Sequence, residues 1–424
     1  MSRFFWLRIF RLSSDVALSW FVVVLSANVY AEDWTRFRGP NGSGLSDAES
    51  IPVRWTEKDY NWKVKLPGEG HSSPVVLGDK IFLTAGDSRT GTRFVFRLRT
   101  ADGQRVWARE FPGDQHSMHE HNSFASGTPA VDASQLYVVW AAPEKLTVLA
   151  LDHDGKPVWC RNLGAYKAGH GFGASVIVYG NRVIVPNDQG GESSLIALDR
   201  DTGETSWIVP RESGITYSTP CMYERLGSPP AVIFTNWKNG VTAVDPVNGH
   251  RRWEIDVFDK GHIECAIASP IVAGGVVLAT AGWLGVKNEV VALRPESPGK
   301  AAEVLYRIER SAPLVTTPIV KDDLLFIWND SGIATCAELQ TGKVHWRERV
   351  GGSYYSSPIC VRDRLYSITR KGETVVIAAS KKYAVLARNP LGEGSHSTPV
   401  VAGGRLFLRT FSHLVSLGGV ETTR

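Results

Sequence analysis

A short apolar segment that begins with two small residues and a proline recurs along the whole chain, and this repeat constrains the fold most. The clearest copies are HSSPVVLGDKIFL at residues 71–83 and HSTPVVAGGRLFL at residues 396–408. Further copies begin near residues 127, 218, 268, 316 and 356, and a degenerate copy at 173–185 has Ser175 in place of the proline. Eight copies of one unit predict a repeat architecture.

Each copy is followed by the same succession of β-rich stretches and turns. The last turn contains a glycine, which adopts the positive φ that such turns require, and a tryptophan follows four residues later, as in Gly203 and Trp207. Four short strands in every 40 to 55 residues or so are typical of a β-propeller blade. We predict that large buried aromatic rings dock neighbouring blades against each other; the docking residues would be Trp62, Trp107, Trp159, Trp207, Trp253 and Trp346.

One spacing predicts how the ring closes. Trp62 precedes Pro74 by the same number of residues as Trp346 precedes Pro358, so residues 61–66 form the fourth strand of a blade. The first three strands of that blade are at the other end of the chain, where residues 413–417 are the expected neighbour. The predicted fold is all-β: an eight-bladed β-propeller of four-stranded antiparallel blades, closed by an N-terminal strand that completes the last blade. Closure removes the open edges of a solenoid.

The chain divides into three segments. Residues 1–31 are predicted to be a signal peptide, because three arginines precede an apolar run that ends at Ala31. An uncleaved membrane anchor is the alternative. Residues 32–60 form an irregular lead-in, and residues 61–424 form the propeller. No later apolar run approaches about 20 residues, so we expect an exported, periplasmic or otherwise extracytoplasmic protein without a membrane span after cleavage.

Charge and cysteine content exclude several classes of protein. The formal net charge is +4 and no basic block is present, so we expect no nucleic-acid partner. The five cysteines are far apart and form no CxxC motif, which predicts buried free thiols and neither disulfides nor a zinc site. We expect a monomer.

The pattern Ala-x-Asp-x-x-Thr-Gly-x-x-x-Trp at residues 197–207 resembles the repeat of the pyrroloquinoline-quinone (PQQ)-type propellers. This superfamily includes quinoprotein alcohol dehydrogenases and BamB-like proteins, and the resemblance covers residues 61–418. It implies, for the enzymes, bound PQQ and Ca²⁺, an aspartate base and often a disulfide between adjacent cysteines. This chain has no adjacent cysteines, and it lacks the lipid-anchor cysteine usual in BamB-like proteins. The resemblance leaves the catalytic residues unassigned.

One face of the predicted ring is rich in histidine. In a four-stranded antiparallel blade, the loop that enters the first strand and the turn between the second and third strands lie on the same face. Seven of the eleven histidines fall in entering loops, and His71 and His396 are expected to meet where the ring closes. The candidate residues of a ligand- or partner-binding face are His71, His119, His121, Asn122, His170, Asp188, Tyr217, Trp237, Lys238, Glu264, Asp330, Tyr355, Arg370 and His396.

The segment around His119 and His121 has side-chain types that bind metals, with Glu120 between them. A solvated loop that hydrogen-bonds its own turns is the alternative interpretation.

Two functions fit these observations. The favoured one is a non-enzymatic exported scaffold whose loop-rich face binds a protein or glycan partner, since loops on a rigid ring vary at little cost to the core. The alternative is a PQQ-dependent quinoprotein oxidoreductase, similar to alcohol or sugar dehydrogenases, with PQQ and Ca²⁺ in the central funnel. PQQ is a tricarboxylate and needs cations; the candidates are Lys238, Arg370 and Arg409.

Overall fold

The computed structural model describes residues 33–113, 115–295 and 302–419, and the predicted signal peptide lies outside these residues. The described chain is built from strands, with two three-residue 3₁₀ helices at Pro40–Gly42 and Glu57–Asp59. No helix in these three ranges is long and apolar enough to cross a membrane.

The strands form eight sheets, and each contains one blade of four antiparallel strands; one sheet has a fifth strand, which comes from the lead-in. Blade 1 contains β3 (Val75–Leu77), β4 (Lys80–Gly86), β5 (Arg93–Arg99) and β6 (Arg105–Phe111). Blade 2 contains β7 (Ala130–Val131), β8 (Gln135–Ala142), β9 (Lys145–Asp152) and β10 (Pro157–Asn162). Blade 3 contains β11 (Ile177–Tyr179), β12 (Arg182–Asn187), β13 (Ser193–Asp199) and β14 (Thr205–Arg211). Blade 4 contains β15 (Cys221–Arg225), β16 (Ser228–Asn236), β17 (Gly240–Val244) and β18 (Arg251–Ile255).

The remaining blades follow the same order. Blade 5 contains β19 (Ile271–Ala273), β20 (Val276–Trp283), β21 (Lys287–Arg294) and β22 (Glu303–Ile308). Blade 6 contains β23 (Ile319–Lys321), β24 (Leu324–Trp328), β25 (Ile333–Glu338) and β26 (Val344–Arg349). Blade 7 contains β27 (Ile359–Val361), β28 (Arg364–Ile368), β29 (Glu373–Ala378) and β30 (Val385–Pro390), and β1 (Leu45–Ser46) pairs in parallel with β27. Blade 8 contains β31 (Val400–Ala402), β32 (Arg405–Arg409), β33 (His413–Gly418) and β2 (Tyr60–Lys65).

Blade 8 is assembled from both ends of the chain. The N-terminal strand β2 pairs antiparallel with the C-terminal strand β33, and Trp62 lies opposite Ser416. The predicted closure of the ring is therefore confirmed. We call the face that carries the entering loops and the turns between second and third strands the upper face, and the opposite face the lower face.

The small residues of the repeat form a belt of hydrogen bonds around the inside of the ring. In seven of the eight blades the residue just before the proline position donates its backbone N–H to the hydroxyl of its counterpart in the next blade. The N–H of Ser175, for example, donates to Thr219 Oγ1 at 3.1 Å. These residues are Ser73, Thr128, Ser175, Thr219, Ser269, Thr317, Ser357 and Thr398. The Ser73 hydroxyl donates to the carbonyl of Thr398 and completes the circle. The prediction that Ser175 takes the place of the proline is therefore wrong, because Ser175 lies one position earlier and Val176 stands where the other copies have proline.

The spacing of glycine and tryptophan that recurs from blade to blade reflects a contact between neighbouring blades. Trp159 of blade 2 lies flat against Gly203 in the last turn of blade 3, where an added Cβ would be only 2.6 Å from the ring. Its indole N–H also donates to the Arg200 carbonyl of that turn at 2.9 Å. Equivalent indole N–H bonds to the next blade are made by Trp62, Trp107, Trp207 and Trp346. Position 203 therefore favours glycine for two reasons: its φ is positive, 73°, and a Cβ there would overlap the Trp159 ring.

Three of the outer strands depart from this pattern. Trp253 is half-buried against the core shared by blades 4 and 5. Tyr306 replaces the tryptophan in blade 5, and its hydroxyl donates to the Leu339 carbonyl of blade 6. Ala387 occupies the position in blade 7. There the lead-in supplies the missing ring, because Trp55 stacks on Tyr366 at 6.5 Å between centroids.

The lead-in packs into the ring. Residues 33–46 cross the lower ends of the inner strands and bond to blades 1, 2, 4, 6 and 7. Arg38 is fully buried there, and its guanidinium donates only to backbone carbonyls, including those of Thr317, Pro318 and Pro358. Burial lowers the pKa of Arg38 to about 9, so it stays a cation at neutral pH. The lead-in therefore joins five blades of the ring to one another.

All five cysteines are free, as the sequence predicts, and four are buried. The prediction of burial is wrong for Cys160, which is exposed. It lies on outer strand β10, where alternate side chains point to solvent.

Candidate functional site

Five histidines from the entering loops of four blades meet on the upper face. We call them the histidine cluster: His71, His119, His121, His170 and His396. The rings of His71 and His396 are 4.5 Å apart between centroids, which is the contact the sequence predicts at the seam. His121 lies 6.2 Å from His396 and 5.0 Å from His119, and His119 stacks on His170 at 4.1 Å. The cluster is therefore a continuous path of imidazole rings.

Aromatic residues extend the path at both ends. Tyr217, from the loop that enters blade 4, contacts His170 at 6.0 Å between ring centroids. Phe411, in the turn between β32 and β33, contacts both His71 and His396. The entering loops of blades 1, 2, 3, 4 and 8 thus contribute to one surface. Sequence reasoning missed Phe411, although its position next to a turn of the same face was a usable signal.

Blade 7 adds a cation and a tyrosine. The Arg370 guanidinium lies over the ring of Tyr355 at 4.5 Å, and its Nη2 is 3.4 Å from the ring nitrogens of His121. Tyr355 also contacts His396 at 4.9 Å. A guanidinium held over an aromatic face is fixed in orientation by the attraction of the cation to the ring.

A second cation lies below the cluster. Arg409, at the end of β32, is fully buried and donates Nη1 to the carbonyl and hydroxyl of Ser72 at 2.8 and 2.6 Å. Its Nε and Nη2 have no hydrogen-bond partner among the described residues. Burial lowers the pKa of Arg409 to about 9, which leaves it charged at neutral pH.

Burial and these cations lower the pKa values of four of the five histidines. Burial, followed by the Arg370 cation, lowers the pKa of His396 to about 4. The pKa of His71 is lowered well below its ordinary value by burial, then by His396 and Arg409. The pKa values of His121 and His170 are also lowered, mainly by burial. A neutral imidazole presents one N–H donor and one acceptor.

Asn122 holds the loop that carries two of the histidines. Its side-chain N–H groups donate to the carbonyls of His170 and Phe172, and its carbonyl oxygen accepts from Ser123 and Ser126. The entering loops of blades 2 and 3 are tied together by this residue, so its role in the structure is to position His119 and His121.

Several predicted site residues lie outside the cluster. Asp188 forms a fully buried ion pair with Arg211 at 3.0 Å; burial raises the pKa of this aspartate and the arginine opposes the shift. Asp330 accepts the N–H groups of Leu314, Val315 and Thr316, so its carboxylate organises the loop that enters blade 6. Glu264 is exposed.

The second pair of predicted residues in blade 4 forms its own contact. The Lys238 ammonium lies 4.9 Å from the ring of Trp237, and both residues are half-buried. No ring contact joins this pair to the histidine cluster among the described residues. It marks a separate position on the upper face.

The donor set does not fit calcium-bound PQQ. Ca²⁺ prefers carboxylate and carbonyl oxygens, whereas the cluster offers imidazole nitrogens and guanidinium groups. Within the described ranges no three histidine, cysteine, aspartate or glutamate side chains are placed to hold a metal ion. His119 and His121 therefore have no third ligand of these types in the part of the chain that the structure describes.

An eight-bladed ring with this repeat, closed by an N-terminal strand, defines a PQQ-type propeller. The model of the family described as outer membrane protein assembly factor BamB matches residues 95–348, so the chain belongs to this family. No curated protein sequence matches the chain.

Solved structures share the fold at low sequence identity. BamB from Moraxella catarrhalis has a TM-score of 0.62 at 15% identity, over 85% of this chain and 97% of that chain. The quinohemoprotein alcohol dehydrogenase of Comamonas testosteroni has a TM-score of 0.65 at 14% identity, over 93% of this chain and 82% of that chain. A europium-containing methanol dehydrogenase has a TM-score of 0.54 at 12% identity, covering 89% of each chain. Two dehydrogenases and BamB share this fold, so the fold alone assigns no activity.

Proposed function

We propose that this protein is a non-enzymatic, exported scaffold that binds a protein or glycan partner on its upper face. The observation that carries the proposal is the continuous surface of imidazole, tyrosine and guanidinium groups between Tyr217 and Phe411. Aromatic rings and arginine are the side chains that contribute most binding energy per residue at interfaces. Export rests on the sequence of residues 1–31.

The arrangement of the ring supports binding from one side. The lead-in is bonded to the inner strands with Arg38 fully buried, whereas the histidine cluster on the upper face is half-buried or exposed. A rigid scaffold with loops on an accessible face is the usual arrangement of binding propellers. The upper face is the surface on which a partner finds polar groups, aromatic rings and a cation together.

Site-specific photo-crosslinking tests the proposal. A benzophenone amino acid at the exposed His170 is expected to trap the partner in intact cells. The same amino acid at Asp201, an exposed residue in the last turn of blade 3 on the lower face, is the matched control. Crosslinks that form from position 201 and not from position 170 would contradict the proposal.

The quinoprotein alternative is tested on the same protein. The protein is purified from cells supplied with PQQ and Ca²⁺, and its absorbance and dye-coupled alcohol oxidation are recorded. We expect a colourless protein without oxidation activity. One quinone per chain would overturn the scaffold proposal in favour of the oxidoreductase.

A further inference from the structure

We propose that the site formed by His71, His396, Tyr355 and Arg370, with the buried Arg409 cation below it, binds an oxyanion, either a carboxylate or a phosphate. This inference rests on the proposed function and names the chemical group that the upper face recognises. It is carried by the uncompensated donors of two arginines at one place in the ring.

The first step is the state of the donors. Arg409 has no exposed surface, and its Nε and Nη2 lack a partner among the described residues. Arg370 Nε is likewise buried without a partner, and so is His396 Nδ1. Leaving a buried donor unpaired costs about 1–3 kcal/mol, and more for a charged group. An oxyanion bound against the half-buried Arg370 would remove this cost there, and the positive charge of Arg409 below would attract it.

A comparison with another buried arginine shows what a purely structural arrangement looks like. Arg38 donates to five backbone carbonyls, those of Gly42, Ser43, Thr317, Pro318 and Pro358. The fold thus satisfies a buried guanidinium completely where its role is to join segments of the chain. Arg409 uses one nitrogen on Ser72 and keeps the other two for another acceptor.

The second step is the absence of a competing anion at this site. Among the described residues, the acidic group in contact with the histidine cluster is Glu120, whose side chain is 81% exposed and whose Oε1 lies 3.7 Å from His121 Nε2. Glu393 precedes His396 in the chain, but its carboxylate accepts from Thr410, Ser412 and His413. The charges of Arg370 and Arg409 are therefore not neutralised by a carboxylate of the fold.

The third step is the geometry of the donors. Arg370 is held over Tyr355 and beside His121, so its guanidinium edge is fixed at the rim. A planar guanidinium matches the two oxygens of a carboxylate or phosphate, and hydrogen bonds from a charged donor are about twice as strong as neutral ones. The imidazoles of His71 and His396, which are in contact, add neutral donors at the side.

Titration of isotope-labelled protein with three anions tests the inference. Inorganic phosphate, acetate and glucuronate are added separately while the imidazole resonances of His71 and His396 are followed by NMR. A bound anion favours the protonated form of a nearby histidine, so we expect a saturable upward shift of the His396 pKa. Tighter binding of glucuronate than of acetate would show that a sugar carries the group, and preference for phosphate would identify the other source.

Two variants separate specific binding from non-specific attraction. Arg370→Gln removes the rim cation and is expected to weaken anion binding by about tenfold or more. Lys145→Gln makes the same charge change in an exposed turn on the same face and is expected to bind as the native protein does. Equal binding by both variants would overturn the inference, as would the absence of any saturable shift. If crosslinking at position 170 still succeeds in that case, the scaffold function stands and the oxyanion site alone is wrong.

Discussion

At the scale of single residues, the repeat is explained by contacts that each position makes with the neighbouring blade. The last turn of a blade requires glycine both for its positive φ and for the ring of the preceding blade. The hydroxyl residue before the proline position supplies the acceptor of the belt. A repeat position is thus constrained by two blades at once.

Replacement of Gly203 by alanine tests this double constraint. We expect a loss of about 2–4 kcal/mol in the free energy of unfolding, because a left-handed φ costs about 1–2 kcal/mol and the new Cβ would overlap Trp159. Urea denaturation followed by tryptophan fluorescence measures the loss. Gly227→Ala is the control, since this glycine also has a positive φ, 81°, but nothing lies within 4 Å of its added Cβ. Equal losses in the two variants would refute the role of the Trp159 contact.

The hydroxyl belt is tested by Thr219→Val. Valine keeps the shape of threonine but removes the acceptor of the Ser175 N–H, which lies in the interior. We expect a loss of about 1–3 kcal/mol for the unpaired donor. Thr219→Ser retains the hydroxyl, so the serine variant should keep this hydrogen bond; a larger loss for serine than for valine would argue against the belt. Both are measured by denaturation at one temperature.

At the scale of strands and segments, the elements that recur were predictable and the element that occurs once was not. Eight copies of the small–small–proline start and five glycine–tryptophan turns reinforce one another, so the blades and the closing strand follow from their spacing. The lead-in has no second copy against which to compare it. Nothing in its composition indicates that Trp55 fills the place left by Ala387, or that Arg38 joins blades 6 and 7.

Part of the upper face was also predictable from the sequence. Successive turns of an antiparallel blade lie on opposite faces, so the order of the strands determines which loops share a face. The closing strand then brings His71 next to His396. The role of Asp188 was not predictable, because its partner Arg211 comes from the outer strand of the same blade and the pair is buried. The sequence of a loop does not show whether a polar side chain faces solvent or an ion-pair partner.

The replacement of a blade tryptophan by the lead-in is tested by Trp55→Ala. Trp55 is buried, stacks on Tyr366 and donates its backbone N–H to Asn389 Oδ1. Truncation of a buried tryptophan costs about 3–5 kcal/mol, so we expect the midpoint of urea unfolding to fall sharply. Trp283→Ala is the control, because this tryptophan is 41% exposed. A similar small loss for both variants would mean that the stability of the interface between blades 7 and 8 does not depend on Trp55.

At the scale of the whole molecule, the two faces of the ring differ in chemistry. On the lower side, the lead-in is held by hydrogen bonds from the Arg38 guanidinium to backbone carbonyls, and burial lowers the pKa of Arg38 only to about 9, so it stays charged in acid. The upper face collects four histidines whose pKa values are lowered. Acidification therefore acts on this cluster of the upper face and leaves the Arg38 contacts unchanged.

This asymmetry predicts how stability depends on pH. A histidine has a pKa of about 6.5 in the unfolded chain, whereas burial and Arg370 lower the pKa of His396 to about 4 in the fold. The unfolded state binds the proton first as the pH falls, so the stabilisation is complete above about pH 6.5 and is lost progressively towards pH 4. The charged groups that face the cluster are Arg370, Arg409 and Glu120.

Denaturation in urea at pH 7 and pH 5 measures the effect, because most carboxylates remain ionised across this interval. We expect the native protein to lose stability at pH 5, and His396→Gln to lose less, since glutamine cannot take up the proton. His250→Gln replaces an exposed histidine outside the cluster and should leave the loss unchanged. If His396→Gln shows the same loss as the native protein, the cluster does not control the stability of the ring in acid. A smaller loss would place the acid-sensitive part of the molecule at the seam where the two ends of the chain meet.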